Sequence, residues 1–467
     1  MENENKGTVI IAGAGLVGSL DALYFAQYGF DVHVYESRPD PRKEEIVAGR
    51  SINLALSKRG IEALKKVGVD VAVTSKGIPM YARMIHSHSG EKTPIPYGKK
   101  TQHILSVDRR KLNELLIDEA ENNPNVHYHF EHKIIAADLE SSTLTFSDVN
   151  AQKKQQTGNL IIGCDGAFST IRKTLMRNTR MDFSQTYIPH GYKEIQMLPN
   201  KNGEYVMEPG YLHIWPRNTF MMIALPNQDK TFTCTLFMPY EIFDGIKTAD
   251  DVLAFFEREF PDAIPLIGRE KLAEDYLKNP VGDLISVKCK PYHFKDKLVI
   301  KGDAAHAMVP FYGQGMNSGF EDCLVFSNIF EDSNFDIGKT LEKYSITRNP
   351  DAEAICDLAM YNYIEMREHV NSKLFILRKY LDNFLYYLFP SRWIPLYTMV
   401  TFSTIPYHEV IERRKKQDKV LSKAILSLLT FGGLGVLSIA YFKPRLTSFN
   451  FQLPSINLPK MSLFVSN

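Results

Sequence analysis

The strongest constraint on the fold lies at the start of the chain. Thr8 to Ala12 is a short run rich in β-branched residues, and Gly13-Ala14-Gly15-Leu16-Val17-Gly18 follows it directly. A helix-compatible stretch then runs to Tyr28, Gly29 breaks it, and a second strand pattern, Val32-His33-Val34-Tyr35, ends in Glu36. Strand, glycine turn, helix, strand and then an acid roughly 20 residues on make one βαβ unit in which each residue type has a task. The glycines allow a tight turn and the close approach of a pyrophosphate, the helix N-terminus favours its charge, and Glu36 accepts from ribose hydroxyls. An acid there disfavours a 2′-phosphate, so the pattern suits FAD or NAD better than NADP. The competing reading is a βαβ unit that binds nothing.

Composition narrows the ligand class. With 467 residues, 44% of them hydrophobic, the chain can bury a large core and divide into two or more domains. Lys and Arg number 55 against 54 Asp and Glu, so no global field draws the chain to nucleic acid, and small ligands are expected. The five cysteines are scattered without a Cys-x-x-Cys pair, which fits reduced thiols used for packing in a cytosol-facing protein. The first residues have neither the apolar core of a signal peptide nor a basic amphipathic transit pattern.

Several later segments complete the pattern. Ala55 lies in a stretch of polar and small residues after the first unit, and Asp108 reads as a helix cap with Arg109 in the first turn. An Arg at a helix start works against the dipole unless an anion, such as a cofactor phosphate, is near. Met80 to Gly98 reads as two strands around a Ser-Gly turn, with Arg83 and Tyr97 equidistant from Gly90 and therefore opposite one another. That pair is either solvated or a clamp for a carboxylate. Leu160 to Arg172 is a buried strand turning at Asp165-Gly166 into a helix that Ser169 caps. Tyr187 to Met238 alternates as short antiparallel strands rich in aromatic residues and methionine, suited to core or to the wall of a flat apolar pocket. Finally, Lys297 to Ile300 is a strand leading to Asp303, Pro310, the turn Gly313-Gln314-Gly315 and a new helix start at Gly315, Met316 and Asn317.

With Gly13-Gly15-Gly18, Glu36, Asp165-Gly166, Asp303, Pro310 and Gly313-Gln314-Gly315 in this order, residues 7 to about 350 resemble the single-component FAD-dependent aromatic hydroxylases. The segments Arg50–Leu56, Arg83–Ser87, Ile188–Tyr192, Tyr211–Asn218 and Ile394–Thr398 narrow the resemblance to the branch that acts on L-kynurenine. The resemblance implies an α/β FAD-binding Rossmann-like fold with an inserted antiparallel-sheet substrate domain, a C-terminal helical region and a membrane anchor. The expected divisions are 1-185 and 286-350 for the FAD domain (the 80-98 hairpin in its first part), 186-285 for the substrate domain, and 351-420 for helices closing the pocket. It implies FAD contacts at Gly13, Gly15, Val17, Gly18, Tyr35, Glu36, Ser37, Arg38, Ala55, Arg109, Ile134, Asp303, Gly315, Met316 and Asn317. Arg83, Tyr97, Asn362 and Tyr397 fall on substrate positions, the last two beyond the reach of periodicity. Pro310, Phe311 and Gln314 are expected beside the reactive flavin edge.

The implied chemistry is tight binding of FAD, its reduction by transient NADPH, addition of O₂ to give a C4a-hydroperoxide, and oxygen transfer next to the aniline nitrogen. No side-chain nucleophile and no metal is expected to take part, since the amino group already activates the ring, and His306 is read as structural. The chain has no second GxGxxG unit, so NADPH would bind without its own Rossmann domain. Competing readings are a related FAD enzyme acting on another aromatic acid or a lipid-like substrate, and a flavoprotein with a docking role.

Arg413 to Lys416 and Lys419 precede the uncharged run Ala424 to Phe442, roughly 19 residues and long enough to cross a bilayer at about 1.5 Å per residue. An anchor over 421-445 is expected, with a tail over 446-467 and the enzyme domain on the cytosolic side, where the heavier basic flank lies. The resemblance supplies the mitochondrial outer membrane. Oligomeric state is left open.

Overall fold

The computed structural model describes residues 6–44, 53–99, 101–367 and 373–432. The chain forms two units, 1–408 and 409–467. In the first, a six-stranded sheet has the order His293–Phe294, Leu298–Ile300, Leu160–Gly163, Thr8–Ala12, Asp31–Tyr35, Val126–His129. All neighbours pair in parallel except the first two, which are antiparallel. Its central strands read as unbroken apolar runs because both faces are covered: Val9, Ile10, Ile11, Leu160, Ile161, Ile162, Val299 and Ile300 have no exposed surface. The helix Leu16–Gln27 packs against Gly315–Asp332, so the first and last pieces of the cofactor pattern share one core.

A seven-stranded sheet runs Gly282–Lys290, Asp182–Met197, Phe232–Pro239, Phe220–Pro226, Tyr211–Arg217, Ala82–His86, Lys92–Pro96. Period-two alternation divides its residues between two tasks. Phe232, Cys234, Leu236, Met238, Met222 and Ala224 turn toward Val252, Phe256 and Leu272 of the helices behind the sheet. Thr233, Thr235, Phe237, Met221, Ile223 and Leu225 face a cavity on the other side. Smaller antiparallel sheets comprise Lys133–Asp138, Thr143–Ser147 and Lys153–Thr157, and Asn53–Leu56, Ile104–Asp108 and Ile78–Met80.

Two expectations about the hairpin are corrected. It extends the large sheet, through parallel pairing of Ala82–His86 with Tyr211–Arg217, and is no part of the nucleotide-type sheet. Its register also differs: Arg83 pairs with Ile95, and Tyr97 lies beyond the strand end. The cause is the turn. Ser87 Oγ accepts from the Glu91 N–H at 2.9 Å, the Gly90 N–H donates to the Ser87 carbonyl at 3.1 Å, and Gly90 takes a positive φ of 83°. Gly90 is thus the third residue of a three-residue loop, and the centre of pairing moves to Ser89.

The C-terminal region is helical, as expected, over Ile337–Arg367, Lys373–Leu388, Leu396–Thr401 and Tyr407–Gly432. Leu377, Tyr380, Phe384 and Tyr387 form an exposed apolar stripe on the second of these. In the second unit the described residues belong to the helix ending at Gly432. No helix among the described residues is long and apolar enough to cross a membrane. The expected run Ala424–Phe442 extends past Gly432, so most of it, like the tail and Arg50–Ile52, lies outside the described residues.

Candidate functional site

Every expected cofactor position except Gly18 and Asn317 lines a single cavity of about 660 Å³. Gly13 has φ of 101°, and a Cβ there would stand 2.6 Å from the Cys164 carbonyl oxygen, so only glycine fits the turn. A Cβ on Gly15 would meet nothing within 4 Å, leaving the backbone open to the cavity. Gly18 serves packing, because a Cβ there would strike the Gly13 carbonyl at 2.0 Å. The helix that begins at Leu16 has no side-chain cap, so its first N–H groups are available to an anion.

Glu36 is buried at the end of its strand and accepts from the Ala14 N–H at 3.1 Å and from Arg38 N, Nε and Nη2 at 2.9–3.1 Å. Burial pushes its pKa up, but the Arg38 hydrogen bonds and charge outweigh that and hold it below the usual carboxylate range. Asp108 caps its helix by accepting from the N–H groups of Arg110 and Lys111 at 2.8 and 3.0 Å, and Arg109 in that first turn reaches the cavity. Asp165 accepts from the Thr170 and Ile171 N–H groups at 2.6 and 3.1 Å. Burial still raises its pKa.

On the far side, the turn Pro310–Tyr312 ends in Gly313 at φ of 64°, and the helix from Gly315 starts without a side-chain cap. Pro310, Phe311 and Gln314 line the cavity. Asn317 does not, because its amide is spent on the fold: Nδ2 donates to the Ala55 and Gly313 carbonyls at 2.8 Å each, and Oδ1 accepts from the Ser57 N–H at 2.8 Å. His306 is also away from the cavity lining, with Nε2 2.6 Å from Asp322 Oδ2 in a buried cluster with Arg348. Burial raises Asp322, but the His306 and Arg348 charges outweigh it and bring its pKa to about 2.

Four distant segments meet at one corner. Arg83 is 3% exposed, its guanidinium carbon lies 4.5 Å from the centre of the Tyr397 ring, and Nη1 is 3.4 Å from Glu365 Oε1. Tyr97 stacks on Tyr397 at 5.2 Å and 10°, and Tyr397 on Tyr312 at 5.6 Å and 12°. Asn362 Nδ2 donates to the Phe311 carbonyl at 2.7 Å. Burial opposes the Arg83 charge, yet Tyr397 and Glu365 raise its pKa above the usual value. Arg83 and Tyr397 line the cavity; Tyr97 and Asn362 stand behind them. Among the described residues, Arg83 Nε and Asn362 Oδ1 are buried with no hydrogen-bond partner, and the buried Tyr97 hydroxyl has only Tyr397 and Arg83 beside it. Each such orphan costs about 1–3 kcal/mol, so unmet polar groups at and behind this wall suit a polar ligand. Sequence reasoning did not single out Tyr192, Leu212 or Thr235 as lining residues. Strand alternation put them on one of two faces without telling which.

The cradle fits a flavin dinucleotide: an open glycine turn, two uncapped helix starts, a buried ribose-type acid and Arg109 converge on one cavity. Residues 6–359 match the family model described as FAD binding domain. A kynurenine 3-monooxygenase of Sus scrofa is 52% identical over 93% of this chain and 92% of its own length. Another from Caenorhabditis elegans is 49% identical over 93% and 98%. Among solved structures, 2-methyl-3-hydroxypyridine-5-carboxylic acid oxygenase superposes with a TM-score of 0.65 at 18% identity, covering 77% of this chain and 92% of that one, a likeness of fold. The chain therefore belongs to the kynurenine 3-monooxygenase family of FAD-dependent monooxygenases.

Proposed function

We propose that this chain hydroxylates L-kynurenine at ring position 3, consuming NADPH, a proton and O₂ and releasing NADP⁺ and water with 3-hydroxy-L-kynurenine. The observation that carries this reading is the buried Arg83 guanidinium, which lines the cavity of the cofactor cradle with Tyr397 and has Tyr97 and Asn362 behind it. A cation and a hydroxyl donor suit the carboxylate of an amino acid, and the Asn362 carbonyl suits an amino group. Phe237 and Phe311, 4.9 Å apart edge to face, offer apolar surface to an aniline ring.

Gly13, Gly15, Val17, Tyr35 to Arg38, Ala55, Arg109, Ile134, Asp303, Gly315 and Met316 would hold FAD. FAD when bound supplies hydride acceptance from NADPH and the activation of O₂. The protein supplies placement and fields. N–H groups at Gly315 and Met316, at an uncapped helix start, stabilise negative charge on the cofactor side they face. Pro310, Phe311, Met221, Ile223 and Leu225 exclude water from the reacting edge. Glu36 disfavours a 2′-phosphate at the resident site, which agrees with NADPH as a visiting co-substrate.

NADPH consumption with L-kynurenine, coupled to product identification, tests the reading. 3-Hydroxykynurenine is the expected product; H₂O₂ alone, or a purified protein without a yellow cofactor, would contradict it.

We further infer that the run from Ala424 to Phe442 anchors the chain in a membrane, the mitochondrial outer membrane by resemblance, with the catalytic unit in the cytosol. The uncharged run with its upstream basic flank and the exposed stripe Leu377, Tyr380, Phe384 and Tyr387 support this. A fluorescent fusion ending before Arg413 is expected to become diffuse, and continued mitochondrial retention would argue against the anchor.

A further inference from the structure

Asp31, His33 and His127 meet at the edge of the parallel sheet. Asp31 and His33 are two residues apart on one strand, so their side chains leave the same face. His33 is the register partner of His127 on the edge strand, which brings the third side chain alongside. His127 Nε2 lies 3.1 Å from Asp31 Oδ1, and His33 Nε2 lies 3.2 Å from Asp31 Oδ2. One donor atom from each residue can be chosen so that all three lie within 4.8 Å of one another. Donors about 2.0–2.1 Å from a tetrahedral ion stand roughly 3.3 Å apart; each histidine lies near that spacing from one of the two Asp31 oxygens, and all three donors fall within 4.8 Å.

The surroundings orient the ligands. His33 Nδ1 is 3.0 Å from His129 Nε2, and the two rings stack at 5.3 Å and 7°. An outer hydrogen bond of this kind fixes which nitrogen a histidine presents to a metal. His129 in turn stacks on Tyr35 at 4.5 Å and 15°, and Tyr35 lines the cofactor cavity.

We propose that Asp31, His33 and His127 form a binding site for a divalent transition-metal ion of the zinc class, its fourth position open to water. Two imidazoles and one carboxylate suit zinc, cobalt or nickel and not the all-oxygen shells of magnesium or calcium. The His127 side chain is 45% exposed and that of Asp31 31%, which gives an ion a path from solvent. The site lies apart from the substrate corner and takes no part in oxygen transfer. The sequence reads as holding no metal site, and this proposal departs from that expectation. The metal-free alternative, an aspartate bridged by two histidines, uses the same atoms and differs only in its response to the ion.

The test is calorimetric titration of untagged, chelator-treated, FAD-loaded full-length protein with Zn²⁺, repeated with Co²⁺ to read its visible absorption. One ion per chain with micromolar or tighter affinity is expected, together with cobalt bands of tetrahedral intensity. His33→Ala and His127→Ala should each weaken binding by at least about tenfold, and His129→Phe, which keeps the ring stack and removes the outer hydrogen bond, by a smaller factor. His127 sits on an exposed edge, so His127→Ala should keep its FAD absorbance and melting temperature. Absence of zinc uptake by the wild-type holoprotein, or uptake unchanged in the His33→Ala, His127→Ala double variant, would overturn the proposal.

Discussion

On one side of the cavity Asn317 places both amide hydrogens and its oxygen within the fold, and Glu36 is met by Ala14 and Arg38. On the other, Arg83 Nε and Asn362 Oδ1 are buried with no partner among the described residues. The difference teaches which groups build the fold and which serve a ligand. Cradle groups hold its shape before the cofactor arrives, whereas the corner keeps hydrogen-bonding capacity in reserve at a cost to stability. Truncation in the cradle should therefore reduce stability and FAD retention, and truncation in the corner should reduce turnover.

The largest effect is expected from Arg83→Met. It should lower kcat/KM for L-kynurenine by roughly 100-fold to 1,000-fold, the usual result of removing one partner of a buried charge pair, with flavin content unchanged. Loss of flavin in parallel would break the comparison. Asn317→Ala should cost about 2–4 kcal/mol in urea unfolding and loosen FAD, because it leaves the Ser57 N–H and the Ala55 and Gly313 carbonyls without that partner.

Glu194 sharpens the contrast. It pairs in register with cavity-lining Thr235, is buried, and has Oε2 without a hydrogen-bond partner among the described residues. Burial raises its pKa to about 7, with Arg109 opposing. The folded state therefore holds this proton more tightly than the unfolded state. The associated stability is present below about pH 4.5 and is lost as pH rises toward 7. Glu194→Gln should flatten that loss, gaining on the order of 2 kcal/mol over wild type at pH 8 and almost nothing at pH 4.5 in urea midpoints. The smallest effect is expected from Tyr97→Phe: about tenfold in kcat/KM, with stability changed by less than about 1 kcal/mol, since the hydroxyl has only Tyr397 and Arg83 beside it.

The cradle was legible in the sequence because its devices are local. Gly13, Glu36, Asp108, Asp165 and Gly313 each act within a few residues of a strand end or helix start, where periodicity and capping rules apply. The corner was not, because residues 83, 97, 362 and 397 come from separate segments. Asn362 and Tyr397 came from resemblance alone, and the spacing of Arg83 and Tyr97 was read around Gly90 when a serine-stabilised loop centres the hairpin on Ser89. Arg83 and Tyr97 still meet, through the Tyr397 ring, at a place no hairpin register specifies. The pairing of His33 with His127 was hidden for a related reason, since parallel strands far apart in sequence carry no local sign of adjacency.

In the proposed reading the Arg83 corner captures the acidic end of kynurenine beside the flavin cavity. Its most direct test is kcat/KM for L-kynurenine against its decarboxylated analogue, kynuramine, in wild type and in Arg83→Met. The account predicts a preference of roughly 100-fold for L-kynurenine in wild type that collapses toward unity in the variant. A preference that survives the substitution unchanged would contradict it.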